Sequence, residues 1–487
     1  MNDAVLVIDE GTSSTRAVLV EADGTFTRVA QHPLTTRFPN PGWVEQDAAE
    51  IWRLTLAAAR TAIGDDASRV RAIGITNQRE TVVAWDRLTG EPLAPAIVWQ
   101  DRRTADACTA LRDAGHEAEV QRRTGLLLDP YFSATKMRWL LDRHPALREA
   151  GDRLCLGTID SWLVFNLADG AFVTDATNAA RTALMALNGG WDDGLCDLFG
   201  VPAAALPTIV DCAGPIATTD VFGPPLPIAG MAGDQQAAAI GQACLVPGAT
   251  KATYGTGAFI LTHAGPTPPR SAHRLLSTVA WQLDGQRAYA LEGSLFVAGQ
   301  MIGWMRDELG FVGQSRECAA LARSVESTGG VTIVPAFAGL GAPHWRPDAR
   351  GAILGLSLGS GKAELVRAAL ESIANQTAEL QRAFAADGVT WSSLRIDGGM
   401  AANDFMAQDL ADALGLPIRR PANVESTVVG ASMLAAVGAG IYPDLAAAAA
   451  TMAVQTERFE PIADERRRAA RLADWDRAVE AVISFRG

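Results

Sequence analysis

Residues 4–21 (AVLVIDEGTSSTRAVLVE) and residues 251–262 (KATYGTGAFILT) repeat one design: an apolar run, a turn of small and hydroxyl residues, and a second apolar run. In the first copy, Ala4–Ile8 and Ala17–Glu21 are expected to be adjacent antiparallel strands separated by the eight residues Asp9–Arg16. A tight hairpin needs only about two residues of Asn-Gly type, so carboxylates, hydroxyls and a guanidinium at this reversal are suited to something besides chain turning. In the second copy, Lys251–Tyr254 and Phe259–Thr262 flank Gly255-Thr256-Gly257. A third strand is expected after each, Phe26–His32 in the first half and Ala288–Glu292 in the second. Between the copies, Trp43–Ile63 suits a helix, Val70–Thr76 and Val82–Trp85 suit strands, and the pattern restarts at Pro227–Ala232. Strands alternating with helices imply α/β architecture. The echo of strand, turn and strand predicts two similar domains facing one another, 1–241 and 242–487, hinged around Gly241–Gly248. A chain of 487 residues exceeds one hydrophobic core, in agreement.

Composition narrows the function. A net charge of -13 argues against a nucleic-acid partner, which wants a basic face. It leaves phosphate ligands open, because a few local donors decide that binding. The six cysteines show no CxxC spacing and are expected to be reduced and buried in a cytoplasmic protein. The six histidines are scattered, which argues against a zinc site. No basic segment leads into an apolar leader at the N-terminus. Val428–Tyr442, the longest small-apolar stretch, is too short to span a bilayer and reads as a buried helix. Asp464–Arg468 reads as the solvated face of a terminal helix.

Several polar residues sit where chemistry is possible. Backbone N–H groups and hydroxyls crowded at the first turn form a nest of donors for phosphate oxygens, with Arg16 as a positive fork. Asp9, at the carboxyl end of a strand, suits Mg²⁺, which takes one or two carboxylates together with phosphates. A polar hairpin with Arg16 paired to Asp9 or Glu10 is the structural alternative. A third glycine site, Asp397–Asn403, follows the expected strand Leu394–Ile396 and leads into a helix whose N-terminus favours an anion. Arg79 and Glu80 offer a donor and an acceptor for neighbouring hydroxyls, or else a plain salt bridge. Asp234, beside a glycine at a strand end, suits a general base for an attacking alcohol, or a helix cap. Trp99, Tyr131 and Phe259 wall a small pocket or fill the core. No Walker A pattern and no protein-kinase catalytic loop is visible.

At these residues the chain resembles the FGGY carbohydrate kinases, and within them the members that phosphorylate glycerol. The matching stretches include DEGTSSTRA (Asp9–Ala17), GITNQRET (Gly74–Thr81), DPYFSATK (Asp129–Lys136), AGDQQAA (Ala232–Ala238), TYGTGAF (Thr253–Phe259), YALEGS (Tyr289–Ser294) and DGGMAAN (Asp397–Asn403), collinear along nearly the whole chain. The resemblance implies a two-domain actin-like ATPase fold of ribonuclease-H-like type, with the active site in the cleft between domains. It implies ATP and Mg²⁺ as cofactors, glycerol as substrate, and a homo-oligomer, dimer or tetramer. By the same resemblance, Arg79, Glu80, Tyr131, Asp234 and Gln235 would bind the glycerol hydroxyls, with Trp99 and Phe259 on its carbons. Asp234 would be the base. Thr12, Ser13, Ser14, Arg16 and Thr256 would contact phosphates, Gly299, Gly399 and Asn403 would line the adenosine end, and Asp9 would organise Mg²⁺.

Three departures from the family pattern stand out. Glu10 occupies a position where the family commonly has glutamine, and a carboxylate there repels phosphates unless it points away or is paired. Gly303 stands where the family often has a glutamine near the nucleotide. The segment Asp220–Leu226 lacks the glycine and arginine loop through which some members sense fructose 1,6-bisphosphate, so no such inhibition is expected.

Overall fold

Alternation along β1 (Ala4–Glu10) decides how the first half is layered. Leu6 and Ile8 face one side, where they join Ile51 of α1 (Ala48–Ile63), while Val5 and Val7 face the other. β1 pairs antiparallel with β2 (Ser14–Glu21), and β2 antiparallel with β3 (Phe26–Pro33). On its other edge β1 runs parallel to β4 (Val70–Asn77). With β5 (Ala213–Thr219) and β6 (Leu226–Gly233), these form a six-stranded sheet of order β5-β6-β4-β1-β2-β3. The computed structural model describes residues 3–65, 67–337, 339–346, 348–421, 425–452 and 456–485.

Two sequence expectations need correction here. The eight-residue polar turn contracts to Gly11–Ser13, because Asp9 pairs with Arg16 and Glu10 with Thr15 in the ladder, and the Gly11 N–H closes on the Ser14 carbonyl at 3.0 Å. Backbone pairing is indifferent to side-chain polarity, so an apolar run marks the buried part of a strand and not where its ladder ends. The first helix starts at Ala48 rather than near Trp43. Asp47 Oδ1 accepts the Ala49 N–H at 2.9 Å and the Glu50 N–H at 3.4 Å, capping it there.

The second half repeats the arrangement. After α2 (Asp234–Gly241) come β7 (Ala249–Tyr254), β8 (Ala258–Gly265), β9 (Leu276–Leu283) and β10 (Gln286–Leu295). Then follow α3 (Gly299–Asp307), α4 (Lys362–Ala386), β11 (Ser393–Asp397), α5 (Asp404–Leu414), β12 (Ile418–Pro421), α6 (Ser426–Gly438) and β13 (Thr456–Phe459). The seven-stranded sheet has order β9-β10-β8-β7-β11-β12-β13. Its central five, β10-β8-β7-β11-β12, match β3-β2-β1-β4-β6 in order and in direction, two antiparallel pairings followed by two parallel ones. The echo read from two hairpins therefore extends to whole sheets.

The halves are laced together by two helices. α6 lies late in the chain, yet Val428, Leu434 and Ala435 pack on Val5, Val7 and Val18 of the first sheet. α2 sends Ala239 to Ala249 and Leu261 of the second sheet. Where α2 and α6 cross, a Cβ on Gly241 or Gly430 would clash with the backbone of the facing helix. α6 is the buried helix expected around Val428–Tyr442, and no helix among the described residues is long and apolar enough to cross a membrane. The six cysteines are buried and free, as expected. The helix Glu465–Ser484 starts on the Asp464 cap with Arg466 and Arg467 exposed, also as expected.

Candidate functional site

Past the end of β4 the chain leaves the sheet in a tight turn. The Gln78 N–H donates to the Glu10 carbonyl at 2.7 Å, and Glu80 takes φ +63°, a left-handed conformation that side-chain-bearing residues rarely adopt. Arg79 and Glu80 are buried, and their own charges stand 3.9 Å apart. Each has a closer partner. Arg79 Nη1 donates to Glu292 Oε2 at 2.7 Å, and Arg181 Nε donates to Glu80 Oε1 at 2.6 Å. The Arg79–Glu80 salt bridge is thus present but long, one contact within a larger set of charges. Arg79 Nη2 reaches the Tyr131 hydroxyl at 3.4 Å, and Arg79 Nε lies 3.5 Å from Asp234 Oδ1. The structure brings Arg79, Glu80, Tyr131 and Asp234 together.

The aromatic trio gathers over the same place. Trp99 meets Tyr131 edge to face with ring centres 5.6 Å apart, and Phe259 of β8 at 6.1 Å. All three are half-buried, unlike Trp85 and Trp162, which fill the core. Trp99 also connects two candidate sites, because its indole N–H donates to Thr12 Oγ1 at 2.9 Å. Thr12, Ser13 and Gly11 form the contracted turn, and Ser14 begins β2.

Arg16 leaves that turn along β2 and holds Asp9 at 2.6 Å and Glu425 at 2.5 Å. Asp9 lies on the face of β1 that carries Val5 and Val7. Glu10 lies on the opposite face, pointing to α1, where its Oε2 accepts from Thr55 Oγ1 at 2.7 Å. Burial pushes the Glu10 carboxyl up to about 8, although hydrogen bonds from Thr15 and Thr55 oppose it. At neutral pH Glu10 is a neutral acid turned away from the turn. It therefore mimics a glutamine.

The opposite half supplies the second turn. Thr256 and Gly399 are exposed, and Gly299 is half-buried. The Gly299 N–H donates to the Gly255 carbonyl at 2.9 Å, and the Ala298 N–H to the Thr256 carbonyl at 2.8 Å. A Cβ on Gly299 would meet Gly255 O at 2.6 Å and Met400 Cγ at 3.1 Å, so the turn, the start of α3 and the loop after β11 abut. Asn403 caps α5, its Oδ1 accepting the Met406 N–H at 3.2 Å. Gly303 faces open space.

Asp234 opens α2, and its Oδ1 accepts the Gln235 N–H at 2.6 Å. Burial raises its pKa above the ordinary aspartate value, partly offset by Arg79 and Lys251. Lys251 is buried on β7, donating to Gln235 Oε1 and, at 2.8 Å, to Thr253 Oγ1. Burial lowers the pKa of that ammonium, against the pull of Asp397 and Asp234. Lys251, Arg181 and Glu292 escaped the sequence reading. Their signal was present: each is a lone charge inside an apolar or small-residue run (GATKATYG, NAARTAL, AYALEGSL).

No three His, Cys, Asp or Glu residues cluster as a metal site among the described residues. Asp9, ion-paired to Arg16, lies close enough to Asp234 to raise its pKa. Two sheets of one topology, each with a hydroxyl-bearing turn, and a polar cluster beside three aromatics fit the two-domain actin-like fold of a sugar or polyol phosphotransferase.

The chain belongs to the FGGY family of carbohydrate kinases: residues 4–241 match the family's N-terminal domain and residues 250–439 its C-terminal domain. It is 50% identical to a glycerol kinase of Xanthobacter autotrophicus, over 98% of this chain and 99% of that protein. The crystal structure of Plasmodium falciparum glycerol kinase with ADP superposes with TM-score 0.94 at 33% identity, covering 99% of each chain. A xylulose kinase from Rhodospirillum rubrum superposes with TM-score 0.87 at 26% identity, covering 98% of each.

Proposed function

We propose that this chain is a glycerol kinase, transferring the γ-phosphate of ATP to glycerol to give sn-glycerol 3-phosphate and ADP in glycerol catabolism. The observation that carries the reading is the convergence of Arg79, Glu80, Tyr131 and Asp234 beneath Trp99 and Phe259, hydrogen-bonded through Trp99 to the turn at Thr12. The relatives support it, since identity is 50% and 33% to glycerol kinases against 26% to the xylulose kinase.

Phosphoryl transfer asks for positioning and charge stabilisation more than for covalent chemistry. In this reading Arg79, Glu80, Tyr131 and Gln235 hold the polyol hydroxyls, while Trp99 and Phe259 pack on its carbons. Asp234 accepts the proton of the attacking hydroxyl; its raised pKa brings it nearer to working pH, where a general base is most effective. Thr12, Ser13, Ser14 and Arg16 contact the phosphates from one half and Thr256 from the other. Gly299, Gly399 and Asn403 line the adenosine end. Mg²⁺ borne by the nucleotide, with Asp9 as its carboxylate, supplies charge neutralisation when bound. The division into 1–241 and 242–487 lets the halves close and exclude water, a competing nucleophile. The reading carries a cytoplasmic setting, which six buried free cysteines suit, and a homo-oligomer, dimer or tetramer.

The direct test follows ADP release from ATP, Mg²⁺ and glycerol. Asp234→Asn is expected to cut turnover by about 10²–10⁴ while nucleotide binding stays near that of the unaltered chain; undiminished turnover overturns the mechanism. A kcat/KM for erythritol or a pentulose above that for glycerol points instead to a kinase of another short polyol or ketose. Nucleotide binding with no turnover on any polyol identifies a non-catalytic nucleotide-driven module.

A further inference from the structure

Four buried side chains of alternating charge close a ring beneath the polyol pocket. Arg79 donates to Glu292 at 2.7 Å, Arg181 Nη2 donates to the other oxygen of Glu292 at 2.9 Å, and Arg181 Nε donates to Glu80 at 2.6 Å. The 3.9 Å approach of Arg79 to Glu80 completes it. Each of the four side chains is 0–2% exposed, so bulk solvent screens them little. Their charges sum to zero. Isolated, each would be costly to bury; paired and hydrogen-bonded, each fixes its neighbours. Arg181 is further held over the rings of Phe132 and Tyr131, at 5.2 Å and 5.6 Å. Glu292 carries the most constrained charge, because Arg181 and Arg79 outweigh its burial and hold its carboxyl down at about 2.

The ring divides its members by what they have left over. Arg79 spends Nη1 on Glu292 and Gln236 and keeps Nη2, with only the long 3.4 Å contact to Tyr131. Glu80 spends Oε1 on Arg181, and its Oε2 accepts no hydrogen bond from the described residues. Arg181 spends Nε and Nη2 on Glu80 and Glu292, and its remaining nitrogen, Nη1, is buried without a hydrogen-bond partner among the described residues; Glu292 spends its two oxygens on Arg79 and Arg181. Glu292 is also the one member on the second sheet, in β10; the other three come from residues 79–181.

We infer that Arg181 and Glu292 are positioning residues for polyol recognition. By closing the ring they fix the free edge of the Arg79 guanidinium and the free oxygen of Glu80 towards the non-reacting hydroxyls. Through β10 they also tie that geometry to the placement of the second sheet. This rests on the glycerol kinase reading and adds to it two residues that need not touch substrate. It also accounts for the left-handed backbone at Glu80, which the ion pair to Arg181 holds in place.

The test uses Glu292→Gln, which keeps the shape and one acceptor but removes the charge, and Arg181→Lys, which keeps the charge but removes the fork. Both are measured for glycerol KM, ATP KM and kcat, and for the ratio of kcat/KM on glycerol to that on propane-1,3-diol, which lacks the middle hydroxyl. The expected result is a glycerol KM raised about tenfold or more, an ATP KM within about twofold, and a glycerol preference reduced about tenfold, as for a misaligned donor and acceptor. Equal changes in both KM values, or an unchanged preference, overturn the inference, because a merely structural defect moves both substrates alike. If Glu292→Gln does not fold, as judged by nucleotide binding, Arg181→Lys carries the same expectation. The unaltered chain is assayed first on a polyol panel. Activity on another polyol overturns the glycerol reading alone, and the variants are then scored on that polyol against its analogue lacking an inner hydroxyl. Turnover of no polyol overturns both.

Discussion

Asp9 and Glu10 are neighbours in the chain, and strand alternation gives them opposite surroundings. Asp9 meets Arg16 on the side that faces the second half, whereas Glu10 meets Thr55 of α1. The folded chain holds a proton on Glu10 up to a pH of about 8, while the unfolded chain releases it near 4.5. Its contribution to stability is thus complete below about 4.5 and is lost as pH rises through about 8. Between about pH 6 and about pH 9 the unaltered chain should lose about 2 kcal/mol more stability than Glu10→Gln, read from denaturant midpoints at the two pH values. In the proposed mechanism Asp234 titrates into catalysis instead. It must be ionised to accept a proton, so kcat/KM should fall as pH drops through its raised pKa. Lys251→Met removes a charge that lowers that pKa, so the acid limb should move to higher pH; an unmoved limb means Lys251 does not act on the base. Asp9, Arg16, Arg79 and Asp234 were legible as residues because each interrupts an apolar strand or its end. Their partners were not, since Arg181 and Glu292 stand about one hundred to two hundred positions away, and no local pattern records a contact made by the fold.

At the scale of elements, periodicity placed most strands and the buried helix within a few residues of where they lie. Its errors have one cause. Asp9, Glu10 and Ser14–Arg16 read as turn because they are polar, but in a hairpin the ladder continues wherever two backbones stay in register. Helix crossings were invisible for a different reason. Gly241 and Gly430 look like weak helix residues, and only the approach of α2 to α6 explains them. Gly430→Ala puts a methyl group into the Ala237 carbonyl and should cost on the order of 1–3 kcal/mol, with loss of turnover as the halves are pushed apart. Gly303→Ala, in α3 with open space around the new methyl, should instead add roughly 0.5–1 kcal/mol through helix propensity. Chemical denaturation of both variants distinguishes a packing glycine from an idle one.

The whole molecule is two copies of one sheet plan, joined by helices that each serve the other half. Regulation belongs at this scale. The turn between β5 and β6 runs through Asp220–Pro225 with no arginine or lysine, so nothing there complements a bisphosphate. Activity should be unchanged by millimolar fructose 1,6-bisphosphate in a rate assay; inhibition would mean that another surface binds it. The sequence by itself determined the two-fold plan, the hydroxyl-rich turns, and which polar residues interrupt apolar strands. These are local properties, set by alternation, by glycine, and by hydroxyls beside strand ends. Only the tertiary structure decided which charges meet: Arg79 with Glu292, Arg181 with Glu80, Lys251 with Gln235, and Glu10 turned inward to Thr55. Buried charges choose partners by distance in space, and that distance exists only once both sheets have folded and closed on α2 and α6.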